Sequence, residues 1–176
     1  MTGSTRRRLK EGLEFGLIAG LILATLEIAG AVAMGARPVT PLRMAASVVL
    51  GHAAFAETAI GRSLVVGAMV HSLLSAVFGV VYGAFAAQLP VELQTNRGKQ
   101  VWLGLCFGAA LWLVNFQIAA VLFYPWFLKT PPLLQLPMHA LFFGLPLTLM
   151  YSAAERRFPR QAKANASNHR ARWPIT

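Results

Sequence analysis

Few side chains in the apolar parts of this chain could carry chemistry. The candidates are Glu27, His71, Asn115 and His139, with Ser75 as a weaker polar support. Two imidazoles on different helices can ligate a haem iron, which makes His71 and His139 candidate ligands of haem b. The same imidazoles together with the Glu27 carboxylate also suit a divalent metal or a proton relay. The spacing does not choose among these cofactors.

A structural role is the alternative for the same residues. A buried imidazole that bonds a carboxylate, an amide or a backbone carbonyl fixes the register of two helices. His52 and Glu57 fit a solvated pair in a loop, and His169 fits a surface position. The sequence contains no phosphate-binding GxxxxGK[ST], no GxSxG and no HExxH, so we predict no catalytic residue.

Composition identifies the kind of environment in which these residues lie. Of 176 residues, 56% are hydrophobic and only 12% are charged, and the mean hydropathy is +0.57, which is too apolar for a soluble domain. All six carboxylates are Glu, and the lone Cys106 excludes an intrachain disulfide and a cysteine-built zinc site. The sequence predicts an all-α polytopic membrane protein.

Hydropathy and proline positions divide the chain. Four apolar segments reach the roughly 20 residues that a membrane-spanning helix needs. They are 12–34, 60–86, 101–128 and 136–153. The apolar stretch 41–50 is too short to span and is predicted to be an interfacial helix. We therefore expect a four-helix transmembrane domain over 12–153, flanked by basic tails at 1–11 and 154–176, with a kink at Pro146.

Basic residues predict the orientation of the spans. Sixteen Lys and Arg are present. Twelve lie in the two tails and between spans two and three, and four lie in the other connections. Short basic flanks resist translocation, so both termini are expected in the cytoplasm. Charge concentrated in tails is typical of membrane helices, and we expect the lipid bilayer and no nucleic acid as a partner.

Small residues recur at helical spacing in three spans. They are Gly12, Gly16, Gly20, Gly67, Gly79, Gly83, Gly104 and Gly108. Close backbone approach at such positions drives helix packing in lipid. We expect these stripes mainly to pack the four helices of the bundle against one another. Because three stripes are more than one helix–helix interface needs, one of them could also serve a homo-oligomer or another membrane protein. Gly144 lies outside the stripes, so leucine at Gly16 or Gly79 is expected to disturb assembly much more than leucine at Gly144.

The polar candidates are predicted to lie at similar depths in the membrane spans. Counting from the predicted span ends, Glu27, His71 and His139 lie in the outer half at levels that differ by about one helical turn, roughly 5 Å. Gln117 is two residues from Asn115 and is expected to face elsewhere. We therefore predict a Glu/His cluster in the outer half of the bundle.

Several motifs resemble those of a known group of proteins. They are PLRMAASVVLG, VHSLLSAVFGVVYG, LVNFQIAAVLFYPWF and MHALFFG, which together cover roughly residues 40–150. In these motifs the chain resembles a family of small four-span bacterial inner-membrane proteins with no established activity. The resemblance implies a location in the bacterial inner membrane. It also implies motif positions at His71, Asn115, Phe116, Pro125, Trp126 and His139.

Small loops and abundant small-residue faces favour a non-catalytic role. From the sequence we predict an accessory or assembly subunit of a larger inner-membrane complex. The alternative is a bis-histidine haem b protein, or a membrane protein that handles a metal ion or protons through the Glu/His cluster.

Overall fold

A computed structural model describes residues 3–157, and within this range the chain is helical and contains no strand. Four helical segments are long and apolar enough to cross a membrane, namely Arg6–Ala33, Glu57–Ala86, Arg97–Phe123 and Leu133–Arg157. The composition-based prediction of an all-helical protein with four candidate membrane spans is therefore confirmed. Residues 158–176, which contain most of the predicted C-terminal tail and His169, lie outside the described part.

The first half of the chain contains two long helices and one short helix. The helices are α1 (Gly3–Ala33), α2 (Thr40–Leu50) and α3 (Ile60–Ala86), with 3₁₀ turns at Gly51–Phe55 and Glu57–Ala59. Helix α1 begins well before residue 12, because the basic segment predicted as a tail continues the first helix. Helix α3 has the bounds that hydropathy predicts.

The second half is helical but irregular. It contains α4 (Val91–Thr95), α5 (Arg97–Trp112), α6 (Ala120–Phe123), α7 (Pro132–His139) and α8 (145–157), with a 3₁₀ turn at Pro125–Lys129. Two π-helical segments, here π1 (Leu113–Ala119) and π2 (Ala140–Gly144), join α5 to α6 and α7 to α8. The third span therefore ends at Phe123 rather than 128. Pro125 disfavours helical geometry at Tyr124, whose φ and ψ are −136° and 60°.

The fourth span widens into a π-helical turn just before Pro146, where the sequence predicts a kink. A proline at this position has no N–H for the carbonyl of Phe142, and the residues before it adopt the wider π2 turn. There the N–H of Leu145 bonds to the carbonyl of Ala140, five residues earlier. The fourth span begins at Leu133 and reaches Arg157, so it is longer than the predicted 136–153.

Glycines bring the spans into backbone contact in two pairs. A Cβ on Gly16 would lie 2.8 Å from the Cα of Gly79, and a Cβ on Gly12 would lie 2.7 Å from the carbonyl oxygen of Gly79. On the other pair of spans, Gly104 and Gly108 pack against π2 around Gly144. A Cβ on Gly144 would overlap the Gly104 carbonyl oxygen, so the expectation that leucine disturbs the protein much less at Gly144 than at Gly16 or Gly79 was wrong. Its close partners lie on another helix, which spacing within one span cannot reveal.

Helix α2 packs against α3 instead of standing apart from it. The carbonyl of Leu42 lies against Gly67, where a Cβ would overlap it. Ala46 and Ser47, on the same helix, are fully buried. The predicted interfacial segment 41–50 thus forms part of the packed protein.

One end of the packed helices, here called the tail end, carries the beginning of α1, the end of α8 and the connection between α3 and α5. Arg7 bonds Glu11 at 2.7 Å and Glu155 at 2.8 Å. Arg8 donates to the Gln94 side-chain oxygen at 3.0 Å and pairs with Glu155 at 3.2 Å. These contacts explain why the basic segment is helical and fixed to the rest of the protein.

Buried polar side chains extend the connections of the tail end into the core. The Tyr82 hydroxyl donates to the Gln100 side-chain oxygen at 2.6 Å, and the Gln100 amide donates to the carbonyl of Leu93 at 2.9 Å. The Thr148 hydroxyl donates to the backbone carbonyl of Gln100 at 2.8 Å. Tyr82, Gln100 and Thr148 are almost completely buried, so this network joins the second, third and fourth spans.

Candidate functional site

A cavity of about 830 Å³ lies at the end of the helices opposite the tail end, here called the cavity end. Its wall is mainly apolar and is built from α1, α2, α3, π1, α7 and the connection around Trp126. The connections contribute Thr40, His52, Lys129 and Thr130 to the wall, and the four spans contribute six polar residues, namely Glu27, His71, Ser75, Asn115, Gln135 and His139. Sequence reasoning had placed five of these six in one cluster or beside it.

The polar residues lie at different depths. Counted at 1.5 Å per residue, Glu27 and His139 are roughly 9 to 11 Å from the ends of their helices, and His71 is roughly 17 Å. The His71 ring reaches Gly20, which precedes Glu27 by two turns of α1. By this count Glu27 and His71 differ in depth by roughly 8 Å, somewhat more than the one helical turn expected from the sequence.

His71 is held by the neighbouring helix. Its Nε2 lies 2.8 Å from the carbonyl oxygen of Gly20. A carbonyl oxygen only accepts, so Nε2 carries the proton and donates this hydrogen bond. In the neutral ring, Nδ1 is then an acceptor. Gly20 permits the contact, because a Cβ there would overlap the side chain of Ser75.

His139 is held by its own helix and is 7% exposed. Its Nδ1 donates to the carbonyl oxygen of Gln135 at 2.9 Å, and its ring packs edge-on to Phe116 at a centroid distance of 5.4 Å. By the same reasoning Nε2 of the neutral ring is an acceptor. The structure therefore fixes the protonated nitrogen of both histidines and leaves one acceptor nitrogen on each.

Three further polar groups on the wall have no internal partner. Within residues 3–157, no side chain or backbone group hydrogen-bonds the Glu27 carboxylate or the Asn115 amide. The side-chain oxygen of Gln135 is buried and also has no partner in that range. Ser75 differs, because its hydroxyl donates to the carbonyl of His71 on its own helix at 2.7 Å. Ser75 therefore supports α3 rather than the His71 ring.

Both π-helical segments border the cavity. Asn115 and Phe116 belong to π1, and His139 directly precedes π2, which contains Phe143. A π turn inserts one residue and rotates the side chains that follow, and such turns are frequent at functional sites. Gln117, also in π1, lies away from the cavity wall. Hydropathy cannot detect π turns, because they change hydrogen bonding and leave composition unaffected.

Helix α2 and the connection between the third and fourth spans both line the cavity and contact each other. The Trp126 indole donates to the Ser47 hydroxyl at 2.8 Å, and its ring packs against the His52 ring at a centroid distance of 4.5 Å and a tilt of 54°. His52 is thus a partner of Trp126, and the predicted pairing of His52 with Glu57 was wrong.

Glu57 pairs with arginines instead. The nearest nitrogens of Arg37 and Arg43 lie 2.8 and 3.1 Å from its carboxylate. Arg43 is buried and also donates from Nε to the carbonyl of Ala54 at 2.9 Å. An arginine bonded to two partners on the 51–59 connection holds that connection against α2.

Metal and haem ligation can be compared with this geometry. Within the described part of the chain, no group of three His, Cys or Glu side chains lies close enough to hold a metal ion. Cys106 is exposed on α5. His139 has the arrangement of a ligating histidine, with Nδ1 bonded to a carbonyl and Nε2 open. To bind a metal ion, His71 would have to ligate through Nδ1 or break the hydrogen bond between Nε2 and the Gly20 carbonyl oxygen.

Comparison with known proteins gives no family assignment. No family model matches the chain, and no curated protein or solved structure matches it significantly. The resemblance to small four-span inner-membrane proteins stays a prediction. What the chain does must therefore be argued from the cavity.

Sequence reasoning missed Gln135 and the Trp126 contacts. Gln135 lies one turn before His139, a spacing that could have indicated a shared face. Trp126 was assigned to a motif, but its contact with Ser47 joins residues 79 positions apart. No local pattern reports such a contact.

Proposed function

We propose that this protein is a non-catalytic integral membrane protein that binds an amphipathic small molecule in the cavity. The proposal rests on several polar groups that have no partner among the described residues and that lie on the wall of one mainly apolar cavity. They are the Glu27 carboxylate, the Asn115 amide, the Gln135 oxygen and one acceptor nitrogen each on His71 and His139.

The size and chemistry of the cavity support a ligand site. Small-molecule sites occupy roughly 300–1,000 Å³ and combine an apolar wall with a few polar groups that orient the ligand. A cavity of about 830 Å³ falls in that range. Leaving a buried polar group unpaired costs about 1–3 kcal/mol, and a ligand that pairs the buried Gln135 oxygen or the open nitrogen of the buried His139 removes that cost.

The accessory-subunit hypothesis loses its main argument. It rested on more glycine stripes than one seam needs, yet Gly16 faces Gly79, Gly67 faces α2, and Gly108 faces π2. These contacts use all three stripes inside the chain. Membership of a larger inner-membrane complex stays a prediction from the sequence, and a ligand-binding subunit would satisfy both hypotheses.

Haem b is a second candidate occupant, favoured by the open Nε2 of His139 and by the presence of His71 on the same wall. Haem would contribute its own visible absorption, and the histidines would hold its iron. An absorption spectrum of the purified protein separates this candidate from a colourless amphiphile. A Soret band that His139→Gln removes would favour haem.

Orientation in the bacterial inner membrane is part of the proposal. Arg7 and Arg8 at the start of α1 and Arg156 near the end of α8 lie at the tail end, and basic flanks favour the cytoplasm. The cavity would then open towards the periplasmic half. A periplasm-dependent reporter should be active when fused after residue 36 or 131 and inactive after residue 95. Activity at residue 95 would reverse the orientation.

Binding can be measured through Trp126, which lies on the cavity wall. The other tryptophans, Trp102, Trp112 and Trp173, are replaced by Phe, and the protein is placed in phosphatidylcholine nanodiscs. The amphiphile ω-bromoundecanol is added as a probe, because bromine quenches tryptophan fluorescence on contact. We expect a saturable component of quenching above the linear background from lipid partitioning.

Two glycines provide a matched pair of space-filling variants. A side chain at Gly30, on the wall, or at Gly61, away from it, meets no atom within 4 Å at the Cβ position. Gly30→Phe should remove the saturable quenching, and Gly61→Phe should keep it. Quenching that stays linear in the wild-type sequence for bromo-amphiphiles of every head-group charge would overturn the proposal.

A further inference from the structure

The open polar groups of the cavity are mainly hydrogen-bond acceptors. The N–H groups of both histidines are committed to the carbonyls of Gly20 and Gln135, so His71 Nδ1 and His139 Nε2 can only accept in the neutral rings. The Gln135 oxygen and an ionised Glu27 carboxylate accept as well. A head group that pairs with these four groups must donate hydrogen bonds, whereas the Asn115 amide can both donate and accept.

The charge on the cavity wall further limits which head groups fit it. Glu27 is the one carboxylate on the wall, and within the described residues no cation pairs with it. Lys129 lies on the rim with an exposed side chain. A carboxylate in an apolar site is unfavourable unless it is neutralised by a proton or paired with a cation. An alcohol offers a donor without charge, whereas an ammonium ion offers both.

Aromatic rings on the wall also favour a cation. Phe78, Phe116, Tyr124, Trp126 and Phe143 line the same cavity as Glu27. The face of an aromatic ring attracts an ammonium ion, and the attraction strengthens when water is excluded. The same rings give an alkyl or aryl tail an apolar surface.

We infer that the natural occupant is an amphipathic organic ammonium ion whose head pairs with Glu27 in exchange for a proton. This inference rests on the proposed function and specifies its ligand. The neutral carboxyl group releases H⁺ to solvent as the ammonium ion arrives, so the total charge in the cavity is unchanged. Since proton and cation compete for Glu27, binding weakens as pH falls. The other titratable groups that line the cavity are His52, His71, His139 and the exposed Lys129.

Three probes that share one alkyl tail and differ in head group separate the effect of charge on binding from that of hydrophobicity. They are ω-bromoundecylammonium, ω-bromoundecanol and ω-bromoundecyl sulfate, measured by Trp126 quenching in zwitterionic nanodiscs. We expect the ammonium ion to bind at least about tenfold more tightly than the alcohol, and the sulfate to bind more weakly than both. In weak buffer, ammonium binding should release protons, while alcohol binding should release none.

Glu27→Gln keeps the size of the side chain and removes its charge. This variant should lose the ammonium preference and the proton release but still bind the alcohol, which shows that it is folded. Glu14→Gln is the matched control, because Glu14 is an exposed carboxylate on the same helix, pairs with Lys10 and lies outside the cavity. It should behave as the wild type.

The possible outcomes distinguish the inference of an ammonium ligand from the proposed function on which it rests. Equal binding of ammonium and alcohol, or an ammonium preference that survives Glu27→Gln, would overturn the inference and leave the proposed function standing. Tighter binding of the sulfate would also overturn the inference. Absence of saturable quenching by all three probes would overturn both.

Discussion

The two ends of this protein use similar polar residues in opposite ways. At the tail end, Tyr82, Gln100 and Arg8 hydrogen-bond groups on other helices or connections. At the cavity end, Glu27 and Asn115 have no partner within the described residues, although they are half-buried on the cavity wall. Polar residues in membrane helices are costly in both places. At the tail end the cost is offset by hydrogen bonds within the chain.

This difference indicates how structural and binding roles are divided. The buried cluster that includes Tyr82, Phe143, Leu147 and Tyr151 packs between the spans and borders the floor of the cavity at Phe143. The packed part supplies stability, and the cavity end holds groups whose partners would come from a ligand. Each prediction below compares a change at one end with a matched change at the other.

The largest effect is expected from overfilling a glycine contact. Gly79→Leu should destabilise the protein by about 3 kcal/mol or more, since even a Cβ there would lie 2.6 Å from the Cα of Gly16. Gly30→Leu at the cavity end should change stability little, because its Cβ meets open space. Thermal unfolding in nanodiscs measures both. Similar losses at the two positions would mean that the cavity is collapsed.

A hydrogen-bond comparison should give a smaller effect. Tyr82→Phe removes the donor to the buried oxygen of Gln100 and should cost about 1–3 kcal/mol. Asn115→Leu removes an amide that has no partner among the described residues, and should be neutral or stabilising. Thermal unfolding again provides the measurement. Strong destabilisation by Asn115→Leu would show that this amide is paired.

The contact between Trp126 and α2 should contribute less to stability than the buried hydrogen bond of Tyr82. Trp126→Phe removes the hydrogen bond to Ser47 and changes the ring contact with His52, and we expect a loss of about 1 kcal/mol. Binding of ω-bromoundecanol should weaken as well, because Trp126 lies on the wall. This binding is measured by native mass spectrometry, since the fluorescent residue is lost. Unchanged binding would remove Trp126 from the site.

The smallest effect is expected at the exposed ion pair of the connection. Arg37→Gln removes one of two arginines on Glu57, and both side chains of the pair are more than half exposed. Exposed pairs contribute little to stability and are screened by salt. The small loss of Tm should therefore disappear in high salt. A loss of Tm that persists in high salt would show that the pair is desolvated.

Local patterns predicted the helical class and the apolar segments, because hydropathy and proline positions act over neighbouring residues. They also selected Glu27, His71, Asn115 and His139 as polar residues of one region. They could not predict the pairing of Arg7 with Glu155, residues 148 positions apart, or the contact of Gly144 with Gly104. Local patterns also could not predict the π turns, which change hydrogen bonding without changing composition. These features determine which polar groups are paired and which are open.

The central claim is that polar groups at the cavity end serve a ligand rather than the fold. Its most direct test is the apparent Tm of the wild type and of Glu27→Leu, measured with and without the tightest-binding of the three bromo-amphiphiles. Without probe, Glu27→Leu should be as stable as the wild type or more stable. At a probe concentration about one hundred times Kd, the wild-type Tm should rise by about 5 °C or more, while the Tm of the variant should rise much less. A variant that is clearly less stable without probe and gains the full shift with it would contradict the claim.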